Sequence, residues 1–434
     1  MNTPFAIMGT VARLSPDERS TLVERGVAAD PAVRQRVTEI LARVRQDGDA
    51  ALRALARALD GVDLEALEVP RATWDRALDA LDPVVTRSLE RARDNVARAH
   101  AAWRPAPIEV ETEPGVMVGR RADPLRRVGV YAPGGRAVYP SSVLMGVVPA
   151  RVAGVSDVIL CSPPQPDGLP APAVLAAASL AGADRVFALG GAGAVAAMAY
   201  GTASVPRVDR IVGPGNAYVA EAKAQVASVV AIDAPAGPSE LLVLWDGSAP
   251  AEGIAREMLA QAEHDPDAAV VAVLLPGASP DALVQALTVQ LAAAPRGAIA
   301  RQALGERGAL LAARDAVEGL AFIAEWAPEH LLLAVKDPDA LLPDVRNAGT
   351  IFLGVSSSVA FGDYVTGANH VLPTGGTARS YSGLSTLDFM RWTTYQRIAP
   401  AAAARLAEPT AVLALAEGLP AHAAAAAAWA EASP

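Results

Sequence analysis

The chain has 434 residues, 52% hydrophobic but only 4% aromatic, with a formal net charge of −10. A chain this long exceeds what one hydrophobic core serves, so two or more domains are expected. The acidic balance argues against a nucleic-acid partner, and the longest apolar run, AAVVAVLL at 268–275, is too short for a membrane helix.

The N-terminus lacks the basic-then-apolar pattern of a secretory signal, which points to a cytoplasmic protein. From there to about residue 100 the periodicity is helical. Ser15 and Asp30 each precede a proline, a helix-start signal. His100 ends one of these helices and reads as a surface or last-turn histidine. From about 128 the texture changes. RVGVY, DVILCS, DRVFAL and VDRIV read as short strands, and alanine-rich helical segments separate them. A second alternation follows, through PAEGIAREMLAQAEHD, AAVVAVLL, SPDALVQALTVQLAAA, GLAFIAEW and AGTIFLG. Such alternation predicts βαβ crossovers and mostly parallel sheets. The expected fold is α/β: two incomplete Rossmann-like domains with helical N-terminal and C-terminal segments. The expected bounds are a helical region at 1–127 packing on the second α/β domain, a nucleotide-side domain at 128–240, a second domain at 241–383, and a C-terminal helical segment at 384–434.

Three glycine-rich turns follow predicted strands: YAPGG at 131–135, GGAGAVA at 190–196 and VGPGNAY at 212–218. Strand ends of open α/β sheets are where ligands bind, so together they favour a nucleotide-sized ligand. Gly191-x-Gly193-x-x-Ala196, with Asp209 eighteen residues beyond Gly191, fits a dinucleotide fingerprint, though Gly and Ala are so common here that chance produces such matches. Cys161 ends a strand with no base nearby in sequence and reads as a buried, inert thiol.

The chain has only five histidines. In QAEH, Gln261 and His264 are three apart on a predicted helix, spaced either as half a metal shell or as a helix end suited to a histidine. Asp363 and His370 lie in a loop too long and glycine-rich for mere connection. Glu417 and His422 come near the C-terminus. From these residues one His, one Asp, another His and a Gln would make an N2O2 set suited to zinc, but the set is scattered over about 160 residues. Glu329 and His330, straight after Pro328, pair an acid with a base at the head of a leucine run.

These residues resemble the histidinol dehydrogenase family along essentially the whole chain. VGVYAPGG, VGPGNAYV, DAPAGPSE, AQAEHDP, APEHL, GDYVTGANHVLPTGG and EGLPAH occur in the family's order and at its approximate spacing. The resemblance implies oxidation of L-histidinol to L-histidine through an enzyme-held aldehyde, with two NAD+ and one Zn2+ per subunit. Zinc would fall to Gln261, His264, Asp363 and His422, and acid–base work to Glu329 and His330. Histidinol contacts would add Ser239, His370 and Glu417, and NAD contacts would fall on Tyr131, Asn216 and position 193. It further implies a homodimer with shared active sites, Glu417 and His422 serving the partner subunit.

Three departures stand out. Gly193 replaces a glutamine expected near NAD, Ala368 replaces a proline, and SSSVAFGDY lacks the usual Thr-Pro start. The rival readings are a paralogue oxidising another polar alcohol, such as a sulfonated diol, and a catalytically retired nucleotide-binding protein. His370 and Glu417 favour histidinol over the first. The complete ligand set and the Glu329–His330 pair oppose the second.

Overall fold

A computed structural model of the chain describes residues 3–25, 30–134, 138–234 and 237–430. Gly135 of the YAPGG turn and Pro235 and Ala236 of DAPAGPSE lie outside these described residues. Two parallel sheets carry the fold. The first has five strands in the order Arg185–Ala188, Asp157–Ser162, Arg127–Tyr131, Arg210–Val212, Ala231–Ile232. The second has six, ordered Ile7–Thr10, Ala309–Ala312, Ala269–Leu274, Glu240–Trp245, His330–Ala334, Thr350–Leu353. Central strands such as ELLVLW and AVVAVL are buried along their whole length. Strands covered by helices on both faces need continuous apolar runs rather than alternation. Leu241, Val243 and Trp245 join the core on one face of the second sheet, Leu242 and Leu244 the core on the other.

The N-terminal helices differ from expectation. Those spanning Pro31–Asp47 to Pro83–Ala102 bury Val37, Leu52, Trp74 and Val96 in one core with the first sheet. Only the first two dozen residues reach the second sheet, through Phe5, the strand Ile7–Thr10, Val11 and Leu22. Hydrophobic periodicity shows that a helix has an apolar face but not which partner covers it. Val371, Leu384 and Phe389 likewise enter the first core, so the loop after Asp363 crosses back to the first sheet.

A third sheet was not foreseen. Ile108–Glu113, Val116–Pro124 and Met390–Ile398 pair antiparallel, the last lying in the segment expected to be helical throughout. Its sequence, MRWTTYQRI, is rich in the β-branched and aromatic residues that favour strands. Gly119 makes room for the facing ring, since a Cβ there would stand 2.2 Å from Tyr395 Cζ. From this sheet extend the helices Pro400–Ala416 and Pro420–Ala427. They leave Val412, Leu413, Leu415, Leu419 and Trp429 exposed in the single chain. No helix among the described residues is long and apolar enough to cross a membrane.

Candidate active site

The two sheets present opposite edges to the site. In the first sheet Tyr131 ends its strand, and the Gly190–Gly191 and Gly213–Asn216 turns follow theirs, all at carboxyl ends. In the second sheet Glu240 and His330 each open a strand, at amino ends. The usual rule for open α/β sheets places ligands at carboxyl ends, and the acid–base pair does not follow it.

The turn before the pair is strained. Trp326 ends the helix Ala316–Trp326, and Ala327 takes the left-handed conformation with φ of 52°. A non-glycine residue held there costs about 1–3 kcal/mol and persists only where its surroundings over-determine it. The carbonyls of Pro328 and Glu329 then accept from Gly349 and Thr350 N–H at 2.9 Å. A Cβ at Gly349 would meet the Glu329 carbonyl oxygen at 2.6 Å, so that position needs glycine.

Glu240 holds both members of the pair through its main chain. Its N–H donates to Glu329 Oε2 at 2.7 Å, and its carbonyl oxygen lies 2.9 Å from His330 Nδ1. A carbonyl can only accept, so Nδ1 carries the proton and Nε2 is left for proton transfer. Nε2 stands 3.3 Å from Asp363 Oδ1, and Glu329 Oε2 lies 3.4 Å from Nδ1. Burial pushes the Glu329 carboxyl above its ordinary range, with His330 opposing. Burial opposes charge on His330 too, yet Glu329 and Asp363 outweigh it and raise its pKa well above the ordinary value. Two carboxylates around one buried ring favour the imidazolium.

Gln261 is buried in the last turn of the helix Ala251–Ala262, and its Nε2 has no hydrogen-bond partner. His264 lies just past the helix end rather than on its face, its N–H bonded to the Gln261 carbonyl. His264 remains exposed in the single chain, so the desolvation that lowers its pKa is partial, and Asp363 opposes it. For Asp363 itself burial acts to raise the pKa, but His330, His370 and His264 hold it below the usual carboxylate range. His370 Nδ1 donates to the Asp363 carbonyl at 2.8 Å, which leaves Nε2 to accept from Ser142 Oγ at 3.2 Å. Ser142 belongs to the helix Pro140–Ala153 of the first sheet, so this contact joins the two halves.

Among the described residues no three His, Cys, Asp or Glu side chains lie close enough together to hold a metal by themselves. Of the four expected zinc ligands, His264 and Asp363 lie close enough to act on each other electrostatically, and Gln261 is buried in the helix turn just before His264. An amide oxygen, an imidazole nitrogen and a carboxylate are together a donor set that suits a divalent cation, and the Gln261 side chain is buried with its Nε2 unpartnered. His422 and Glu417 are exposed on the C-terminal helices and do not join this group within one chain.

On the nucleotide side, Tyr131 is buried and its hydroxyl accepts from Gly191 N–H at 3.0 Å. Burial pushes its pKa up to about 12, so it stays neutral. Gly191 has φ of +58° and a Cβ there would meet nothing, which leaves open space at a helix N-terminus. Gly193 faces the other way: a Cβ would stand 3.2 Å from Leu55 Cδ1 and 3.6 Å from Leu52 Cδ2. Asn216 caps the helix Ala217–Val226, its Oδ1 accepting from Tyr218 and Val219 N–H. Asp209 exchanges main-chain and side-chain bonds with Arg127 at the amino ends of their strands. It therefore sits on the edge opposite the glycine turns, where no ribose could meet it. Ser239 directly precedes Glu240, and its main-chain carbonyl accepts from Ala269 N–H. Cys161 is fully buried, and burial pushes its thiol up.

Sequence reasoning missed Arg25 and Ser142 and did not single out Glu240. Glu240 ends the quoted motif DAPAGPSE, so a signal was present, but Arg25 has no local pattern that distinguishes it.

Parallel α/β halves, glycine turns at the carboxyl edge of one sheet and a buried acid–base pair at the amino edge of the other fit an oxidoreductase of the dehydrogenase class. The Histidinol dehydrogenase family profile matches residues 23–429. The chain is 45% identical over 411 residues to histidinol dehydrogenase of Methanosarcina barkeri, covering 94% of each. To that of Natronomonas pharaonis it is 48% identical over 417 residues, covering 96% of this chain and 98% of the relative. The crystal structure of histidinol dehydrogenase from Elizabethkingia anophelis matches with a TM-score of 0.93 at 32% identity, covering 99% of each chain. The chain belongs to the histidinol dehydrogenase family.

Proposed function

We propose that the chain carries out the zinc-dependent, four-electron oxidation of L-histidinol to L-histidine in histidine biosynthesis, using two NAD+ and retaining the aldehyde between steps. The observation that carries this reading is the convergence of His330 Nε2 on Asp363, with His264 beside it, within a chain of this family.

Gln261, His264 and Asp363 would hold zinc together with His422 of a second copy. Bound zinc would supply orientation for the substrate's nitrogens, and NAD+ bound across the turns at Tyr131, Gly191 and Asn216 would supply the hydride acceptor. In the first oxidation His330, in the neutral form that leaves Nε2 free, would take the carbinol proton as hydride leaves the carbon, Nδ1 being committed to the Glu240 carbonyl. Asp363 holding zinc would be offset as one of the two carboxylates that raise His330, which favours that neutral form. For the second oxidation Glu329, held by Glu240 N–H, activates the water that hydrates the aldehyde. Ser239, His370 and Glu417 orient histidinol, Glu417 from the partner's C-terminal segment. Position 193 contributes no side chain to the cofactor.

The test is NADH formation from histidinol, expected at two NADH per histidinol, abolished by a chelator and restored by zinc. Turnover of a sulfonated diol with none of histidinol, or full activity in metal-free protein, would reverse the reading.

A further inference from the structure

Behind the acid–base pair lies a second buried charge pair, formed by residues outside those assigned to substrate, cofactor or metal. Arg25 Nε donates to Glu240 Oε1 at 2.9 Å and Nη2 to Oε2 at 3.0 Å, with both side chains almost completely buried. Glu240 Oε1 also accepts from Gly375 N–H at 2.8 Å. Arg25 Nη2 donates to the Trp326 carbonyl at 2.8 Å, and the guanidinium lies over the Trp326 ring, 3.6 Å from its centroid. Arg25 thus joins the start of the strand bearing Glu240 to the end of the helix from which the strained Ala327–Pro328–Glu329 turn departs. Through Gly375 it also fixes the loop that carries His370.

We infer that Arg25 is a positioning residue for the Glu329–His330 pair, acting through Glu240. The Glu240 peptide groups hold Glu329 Oε2 and His330 Nδ1 directly, so the carboxylate that anchors Glu240 fixes where both reactive groups stand. A planar guanidinium suits this role because its fork grips the carboxylate at two points and still spans to a carbonyl. A lysine would supply the charge at one point only. Misplacement of reacting groups by about 1 Å costs on the order of 100-fold in rate. An ion pair of merely structural value could be replaced by uncharged groups of similar size at little loss.

The inference rests on the proposed function for its kinetic arm, and a spectroscopic arm tests it without turnover. Arg25→Met alone would strand a buried carboxylate and could fail to fold, so the decisive variant is Arg25→Met/Glu240→Gln, with Arg25→Lys as the conservative partner. In dimeric enzyme labelled with 15N-histidine, the wild-type His330 Nδ1–H resonance should show a hydrogen-bonded proton. In the double variant it should shift or broaden, while the melting temperature stays near that of the wild type. With histidinol and NAD+, kcat should fall about 10- to 100-fold at nearly constant KM, with a larger isotope effect on carbinol deuteration and partial recovery in Arg25→Lys. An unchanged His330 resonance in the folded double variant overturns the inference whatever the kinetics. A shifted resonance in a protein whose wild type does not oxidise histidinol would uphold it and reject the proposed substrate.

Discussion

His100 Nδ1 lies 3.3 Å from Thr386 Oγ1, and the same hydroxyl donates to the His100 carbonyl at 2.8 Å. The hydroxyl proton is thereby spent, so Nδ1 must carry its own, and Nε2 remains buried without a partner. The pair ties the last turn of the helix Pro83–Ala102 to the segment returning from the site. The histidine expected at the surface or in the last helical turn does lie in that turn, but it is fully buried.

Burial lowers the His100 pKa from 6.5 to about 4. The unfolded chain therefore binds more protons between those values, and stability rises with pH across that window. As pH falls from 6.5 toward 4, His100 should cost the fold up to about 3 kcal/mol. Urea unfolding of wild type and His100→Gln should show a shallower pH dependence in the variant below pH 6.5. Parallel curves would show that His100 is not the titrating group.

His330→Ala should reduce the first oxidation more than Glu329→Gln does, by roughly 100- to 10,000-fold for loss of a positioned base. Glutamine at 329 can still accept from Glu240 N–H, so its effect should fall on the aldehyde hydration that precedes the second hydride. Single-turnover measurements starting from alcohol and from aldehyde separate the two. Equal losses in both steps would contradict the division of roles.

If His422 serves the partner's site, His264→Ala and His422→Ala should each be inactive alone yet complement each other. A heterodimer then has one site with both residues intact, and random mixing of subunits should recover about a quarter of wild-type activity. No recovery after verified subunit exchange would place His422 in its own subunit's site.

The Gly213 turn depends on another buried pair. Lys223 Nζ donates to the Gly213 carbonyl at 3.0 Å, Asp233 Oδ2 accepts from Gly213 N–H at 2.7 Å, and the two side chains form an ion pair. Gly213 has φ of +118°, and a Cβ there would stand 2.1 Å from the Tyr131 carbonyl oxygen. Burial pushes the Asp233 carboxyl up, and Lys223 opposes it. Lys223→Met should destabilise the protein by about 3–5 kcal/mol in urea unfolding, and adding Asp233→Asn should return most of that loss. Equal stability of Lys223→Met and wild type would show that the pair contributes nothing.

The α/β class was legible because short apolar runs alternating with alanine-rich helices leave few other arrangements. The third sheet was not, because MRWTTYQRI follows a loop and precedes an alanine-rich tail, and its partner strand lies some 270 residues earlier. Glu329, His330 and Asp363 could be named as candidate site residues from their types and setting, and His264 only through the family resemblance. Their grouping could not be derived from spacing.

Sequence by itself determined the strands and helices of the two parallel sheets and which side chains have the chemistry to act, since both follow from local pattern and residue type. Only the tertiary structure decided that the pair sits at amino ends of its sheet, that His100 is buried, that Gly193 faces Leu52 and Leu55, and that Arg25 stands behind Glu240. Those outcomes depend on which apolar faces meet and which buried charges find partners across hundreds of residues. Burial and pairing are properties of the packed chain and leave no local mark on the sequence.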